Sequence, residues 1–187
     1  VSAPRVLIAC EFSGTVREAF RARGYDAWSC DLLPSEIRGQ HIEGDVTKVL
    51  DWDWSLMVAH PPCTHLAVSG ARWFKDKRVE QAEALEFVRV LLAAPIPRIA
   101  LENPVSIISS RIRKPDQIIQ PWQFGHPETK TTCLWLKNLP PLTPTNIVEP
   151  DYMRRPDGSL LLDKKGKRYS RIHYMSRNQK GSERWKE

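Results

Sequence analysis

Two short stretches of the chain hold side chains able to do chemistry. "VAHPPCTHLAVSG", Val58 to Gly70, places Cys63 directly behind two prolines at the end of an apolar run. Proline fixes φ and has no amide N–H, so Pro61 and Pro62 make a stiff mount for the side chain that follows. A thiol there becomes a nucleophile when a helix N-terminus or a positive charge lowers its pKa. An inert thiol and a metal ligand are the other readings. The metal reading joins His60, Cys63 and His65 with His126 or His173, in an H-x-x-C-x-H spacing that matches no common zinc pattern. "ALENP", Ala100 to Pro104, brings Glu102 to the end of a second apolar run about 40 residues on. A partly desolvated carboxylate can share a proton with a ring nitrogen and accept from an exocyclic amine; the plain alternative is a helix-capping glutamate.

The elements that must position these groups follow from the hydrophobic pattern. "RVLIAC" (5–10), "YDAWSCDLL" (25–33), a short run in "HIEGDVTKVL" (41–50), "SLMVAHPP" (55–62), "RIALENP" (98–104), "DQIIQPWQF" (116–124) and "TKTTCLWLKN" (129–138) read as strands. "VREAFRARG" suits a helix ending at Gly24. Val79 to Ala94 has apolar residues at Ala82, Leu85, Val88 and Leu92 and predicts a longer helix, and "VSIISSRI" suits a short one. Strands alternating with helices predict an α/β fold with a doubly wound, mostly parallel sheet and function at the carboxyl ends of its strands. Those ends carry Glu11, Asp31, Asp45, Cys63 and Glu102.

Three of these positions suggest a nucleotide-like ligand. In "ACEFSGTVREAF", Gly14 at a strand-to-helix turn lets a ligand approach backbone amides that favour polar or anionic groups; a purely structural turn is the alternative. Asp31, at the end of the second strand, is placed as acidic residues that accept from ribose hydroxyls are, and also as an ordinary cap. Asp45 in "EGDV" is able to accept from an adenine amine and equally to close a turn.

The bulk properties bound the rest. The 187 residues suit one full-sized domain with an appendage, and we expect residues 1–139 to form the catalytic domain and 140–187 a proline-rich then basic segment. Net charge is +6, yet residues 1–150 hold 17 Lys/Arg against 17 Asp/Glu, so the excess lies in residues 151–187, with 11 against 5. That tail, where Tyr169, His173, Tyr174 and Trp185 alternate with cations, points to a polyanionic partner or to a solvated extension. "RRPDGSLLLDKKGKRYS" suits a β-hairpin or a flexible loop. Four cysteines without a CxxC pair fit a reducing cytoplasm, in a bacterial or phage-infected cell. No apolar stretch approaches the roughly 20 residues that span a bilayer, the N-terminus has no signal-peptide pattern, and no membrane role is expected.

In order and spacing, "EFSG", Asp31, Asp45, "PPC" and "EN" resemble the motifs of the DNA cytosine-C5 methyltransferases, and the short phage-type members above all. The resemblance runs from about Arg5 to Leu136. It implies a Rossmann-like S-adenosylmethionine-dependent methyltransferase fold with a small basic C-terminal appendage, and transfer of a methyl group to C5 of cytosine in DNA through a covalent Cys–C6 adduct. It implies cofactor contacts at Phe12, Ser13, Gly14, Asp31, Asp45 and Pro61, a nucleophile at Cys63 and its partner at Glu102. It further implies substrate contacts at Asn103, at Lys130 (the surviving basic residue of a Gln-x-Arg-x-Arg motif that is here Glu128, Lys130 and Thr132) and at Arg72. No metal is implied. Where family members carry a large target-recognition region, about 48 residues follow here. The alternatives are a catalytically weak or inactive nucleic-acid-binding protein on the same fold, and the same chemistry acting on RNA.

Overall fold

In a computed structural model of the chain, the structure describes residues 3–69 and 77–170. Arg72, His173, Tyr174 and Trp185 lie outside the described residues.

The expected alternation is present. In chain order the elements are β1 (Arg5–Ala9), α1 (Thr15–Arg21), β2 (Asp26–Asp31), β3 (His41–Glu43), β4 (Leu56–Ala59), α2 (Arg78–Ala93), β5 (Ile99–Pro104), α3 (Ile108–Arg111), β6 (Gln117–Ile119) and β7 (Thr132–Lys137). The strands form one sheet in the order β3-β2-β1-β4-β5-β7-β6. Pairing is parallel from β3 through β5 and antiparallel between β5 and β7. The class is therefore α/β, Rossmann-like and mostly parallel. It differs from the six-stranded dinucleotide-binding order by a reversed strand lying between β5 and the last strand.

Each face of the sheet is closed by helices. Along β1, Val6 and Ile8 point to one side with Ala27, where Val16 and Phe20 of α1 pack on them. Leu7 and Ala9 point to the other and join Met57, Ala59 and Leu101 beneath Leu85, Val88 and Leu91 of α2. Burying each of the larger of these side chains is worth about 1.5–3 kcal/mol, which fixes the register because a one-residue slip would turn both sets outward. The α2 stripe runs through Leu91 and not through Ala82, which is exposed. The helix stops at Ala94, ahead of Pro95, whose ring is incompatible with another turn.

A side chain that periodicity gave no reason to notice holds the β1 to β3 region together. Arg17 on α1 is fully buried. Its guanidinium donates to Ser29 Oγ on β2 (2.9 Å), to Ser35 Oγ (3.1 Å) and to the Ile37 carbonyl (2.8 Å), and pairs with Glu18 (2.8 Å). These bonds tie the loop after Asp31 to the first helix. They also account for Gly14, which adopts φ +74°, and where a Cβ would lie 2.6 Å from Arg17 Nη2.

By backbone contacts the chain divides into two compact units. One is Val1–Ile118 with Thr132–Pro141, and the other is Ile119–Thr131 with Leu142–Glu187. The second begins with a 3-10 turn, Pro121–Gln123, closed by a capping box between Gln120 and Gln123. Its basic stretch forms bridged turns, with Tyr152 opposite Ser170, Arg154 opposite Leu160 and Leu162 opposite Arg168. Asp157 and Asp163 spend their carboxylates on their own turns, accepting from the amides of Ser159 and of Lys165 and Lys167.

Replacing Arg17 by Met would remove its hydrogen bonds to Ser29 Oγ, Ser35 Oγ and the Ile37 carbonyl, while Ser29 keeps His41 and the carbonyl keeps Ser35, so the cost is that of lost hydrogen bonds at about 0.5–1.5 kcal/mol each. Urea denaturation of Arg17→Met is expected to show a loss of roughly 3 kcal/mol; a midpoint equal to wild type would mean that the loop is held by other contacts.

Candidate functional site

In an open α/β sheet, ligands sit beyond the carboxyl ends of the strands where the strand order reverses. Here that point lies between β1 and β4. A cavity of about 240 Å³ opens there, lined by Cys10, Glu11, Phe12, Ser13, Val16 and His60. Cys10 follows β1 in the left-handed region, φ 60°, which costs a residue with a Cβ and turns the chain sharply into "EFSG".

Buried Glu11 organises the turn. Its carboxylate accepts from the amides of Val16 (2.6 Å) and Arg17 (3.1 Å) and from Ser13 Oγ (3.2 Å). The amides at the start of α1 were expected to be open to an anionic ligand. That expectation is corrected: the protein's own carboxylate occupies them. Outside the cavity lining, the carboxylates of Asp31 and Asp45 stand at the neighbouring strand ends. Burial, and then the charges of Asp31, Cys30 and Asp45, push the Cys10 thiol up to about 12. Burial, Asp31 and Asp45 raise Cys30 to about 11. Two thiols on neighbouring strands thus register the same pair of carboxylates at the strand ends. Asp31 Oδ1 accepts from the Leu33 amide (3.0 Å). Asp45 caps the 3-10 turn Val46–Val49 through the Thr47 amide (2.9 Å), and the backbone and side-chain hydrogen bonds of Thr47 hold its carboxyl below the usual range. Phe12 is exposed.

On the other side of the switch point, Cys63 and Glu102 come from adjacent parallel strands. Ala59 pairs with Leu101, so His60 and Glu102 both stand one residue beyond the paired ends. His60 Nδ1 lies 3.3 Å from Glu102 Oε2, and Asn103 Nδ2 donates to the carbonyl of buried Pro61 at 2.9 Å. Cys63 then opens a turn, its carbonyl accepting from the amides of Leu66 and Ala67. That turn is stitched to the chain after Glu102: Val68 donates to Val105, Ile107 donates to Leu66, and Ala67 bridges Ser106. The "PPC" and "EN" segments therefore form one assembly, in which Glu102 is a quarter exposed and Cys63 is exposed. Antiparallel β7 supports it from the far side, with Leu134 opposite Glu102 and Cys133 opposite Asn103.

Among the described residues no group of three or more His, Cys, Asp or Glu side chains is placed to hold a metal, and no helix is long and apolar enough to cross a membrane. Glu128 and exposed Lys130 belong to the second unit, whereas Thr132 opens β7 opposite Pro104. Arg72 is outside the described residues.

No family model and no curated protein matches the chain. Among solved structures it is similar to a candidate DNA modification methyltransferase encoded within a prophage of E. coli. Identity is 16% and the TM-score 0.45, over 72% of this chain and 46% of that one. The chain thus spans under half the length of that protein, and a likeness this shallow carries no argument about activity.

Three residues of the site escaped the sequence reading in their present roles. Glu11 was noted only as a strand-end acid, His60 only as a metal candidate, and Cys10 only as a thiol in a strand. The register of β4 against β5, once adjacency is granted, was the signal that would have paired His60 with Glu102.

Of the four cysteines only Cys63 is exposed, while burial holds Cys10, Cys30 and Cys133 in the protonated form. Titrating the native protein at pH 8 with a chromogenic disulfide should therefore modify about one thiol quickly, and Cys63→Ser should remove that phase. Rapid labelling that survives the substitution would contradict the shielding of the other three, of which Cys30 and Cys133 are buried and Cys10 partly so.

Proposed function

We propose that the protein is an S-adenosylmethionine-dependent DNA methyltransferase that acts on C5 of cytosine. The observation that carries this is the joining of an exposed cysteine, on a turn pinned at both ends, to a partly exposed carboxylate on the neighbouring strand.

Cytosine C5 is too weak a nucleophile to take a methyl group unaided. Cys63 supplies the remedy by adding its thiolate to C6, which moves the C5–C6 π pair onto C5. Glu102 gives a proton to N3 in the same step, so the ring becomes a neutral enamine. S-adenosylmethionine, when bound, supplies the electrophilic methyl group. Loss of the C5 proton to a base, breakage of the Cys63–C6 bond and return of the N3 proton to Glu102 restore the aromatic ring and the free thiolate. Asn103 keeps Pro61, and through it Cys63, in place during this cycle. A cytosine stacked in a duplex cannot reach such a thiol, so the nucleotide must be flipped out or lie in a single strand.

The fit of the cofactor rests on charge. Its sulfonium and ammonium groups are cationic, and the strand ends of β1, β2 and β3 carry Glu11, Asp31 and Asp45; after burial, Asp31 and Asp45 are the carboxylates that raise the Cys10 thiol. The cavity beside Phe12, Ser13, Gly14 and Pro61 would take the methionine end, with Asp31 on the ribose hydroxyls and Asp45 on the adenine amine. The second unit, with Lys130 and a basic stretch whose two aspartates are engaged by their own turns, is proposed as a DNA backbone contact in place of a full recognition region.

Transfer of labelled methyl groups to unmethylated genomic DNA tests the assignment. Cys63→Ser is expected to abolish transfer, Glu102→Gln to lower kcat by about 10²–10⁴-fold, and Asp31→Ala to raise the cofactor KM about tenfold with kcat nearly unchanged. Label appearing anywhere but C5 of cytosine, or in RNA and not in DNA, would contradict it.

A further inference from the structure

We propose that His60 is a positioning residue for Glu102: its Nδ1–H holds carboxylate Oε2 and so commits Oε1 to the proton that the cytosine ring receives. The inference rests on Glu102 being the group that meets N3.

The geometry comes from the sheet register. His60 follows Ala59 and Glu102 follows Leu101, and those two residues are the last pair between β4 and β5, so His60 and Glu102 stand side by side just past that pairing. Nδ1 and Oε2 are 3.3 Å apart, within hydrogen-bond reach. The backbone of His60 has little freedom to leave this position. Its amide donates to the Ala9 carbonyl at 2.9 Å, and the following proline disfavours any conformation but the extended one. The other ring nitrogen, Nε2, is buried and has no hydrogen-bond partner among the described residues. Among the described residues, the only hydrogen bond this ring makes is thus the one to Glu102.

That bond has a chemical consequence. A carboxylic acid whose one oxygen accepts an N–H bond carries its proton on the other oxygen. A carboxyl group with both oxygens unclaimed rotates, and half of its arrangements present a lone pair where the ring needs a proton. Fixing Oε2 removes that half. The constraint matters because Glu102 must both give and recover the proton within one turnover, and misplacement of a reacting group by about 1 Å can cost ~100-fold in rate. His60 also lines the Cys10–Val16 cavity, which makes it the wall shared by the proposed cofactor site and the proposed base site.

A packing role and a positioning role predict opposite rankings of two substitutions. The amide of Asn reaches the place of imidazole Nδ1, whereas the longer amide of Gln reaches that of Nε2 and is closer to His in volume. Methyl transfer to unmethylated mixed-sequence DNA is measured for wild type and for His60→Ala, His60→Asn and His60→Gln, with thermal melting as a check on folding. Positioning predicts that kcat falls about 10- to 100-fold in His60→Ala and His60→Gln, that His60→Asn recovers most of the loss, and that KM for DNA changes by less than about threefold. A ranking with Gln above Asn, or kcat falling in step with melting temperature, overturns the proposal while leaving Glu102 as the proton donor. A wild-type kcat in His60→Ala does the same. If wild type transfers no methyl group, the assignment of Glu102 fails and this inference fails with it.

Discussion

The hydrogen bond from Asn103 Nδ2 to the Pro61 carbonyl is the contact on which the arrangement of the site depends. Two consecutive prolines offer no amide donors, so the segment that mounts Cys63 cannot join a ladder by donation and must be held through its carbonyls. Asn103, 1% exposed and fixed in β5 between β4 and β7, supplies the donor from inside the sheet. The register of a central strand is thereby transmitted to a loop on the surface. Glu102, one residue earlier on the same strand, inherits the same precision, and the pairing of Ala67 with Ser106 closes the assembly beyond the cysteine.

The two halves of the site obey different electrostatic rules. At the ends of β1 to β3, burial first and then the charges of Asp31 and Asp45 hold the Cys10 and Cys30 thiols protonated, and Glu11 fills the start of α1 from within. That half suits a cation. The half at the ends of β4 and β5 is built from proline, a thiol, an amide and a histidine–carboxylate pair, which suits a flat, polar ring with donors and acceptors on its edge. Arg17 keeps the first half in shape, since its buried guanidinium joins α1, β2 and the loop that follows Asp31 through hydrogen bonds.

Much of this was legible in the sequence. Apolar runs of five or six residues between turn signals marked the strands, and their alternation with helices fixed the class. Cys63 and Glu102 were identifiable because each ends such a run. The reversed direction of β7 was not legible, since a strand's direction leaves no mark in its own pattern. Nor was the association of 119–131 with the later part of the chain, where texture changes only after Leu139. Glu11 and Arg17 were hidden for a related reason. Charged residues around a strand-to-helix turn read as surface until the groups that bury them are placed; for Arg17 these include Ser29, Ser35 and Ile37, 12 to 20 residues away, and for Glu11 they are the amides of Val16 and Arg17. His60 drew notice as a possible ligand because its neighbours in sequence are Cys63 and His65, whereas its neighbour in space is Glu102.

The central claim is that Cys63 bonds to C6 of cytosine. Fluorine at C5 cannot leave as a proton does, so 5-fluorocytosine in an oligonucleotide arrests the cycle before elimination and preserves the bond. The account predicts a denaturant-resistant protein–DNA product that requires S-adenosylmethionine, with the mass of the adduct on the peptide containing Cys63. An adduct that persists in Cys63→Ser, or none with any cytosine-containing strand, would contradict it.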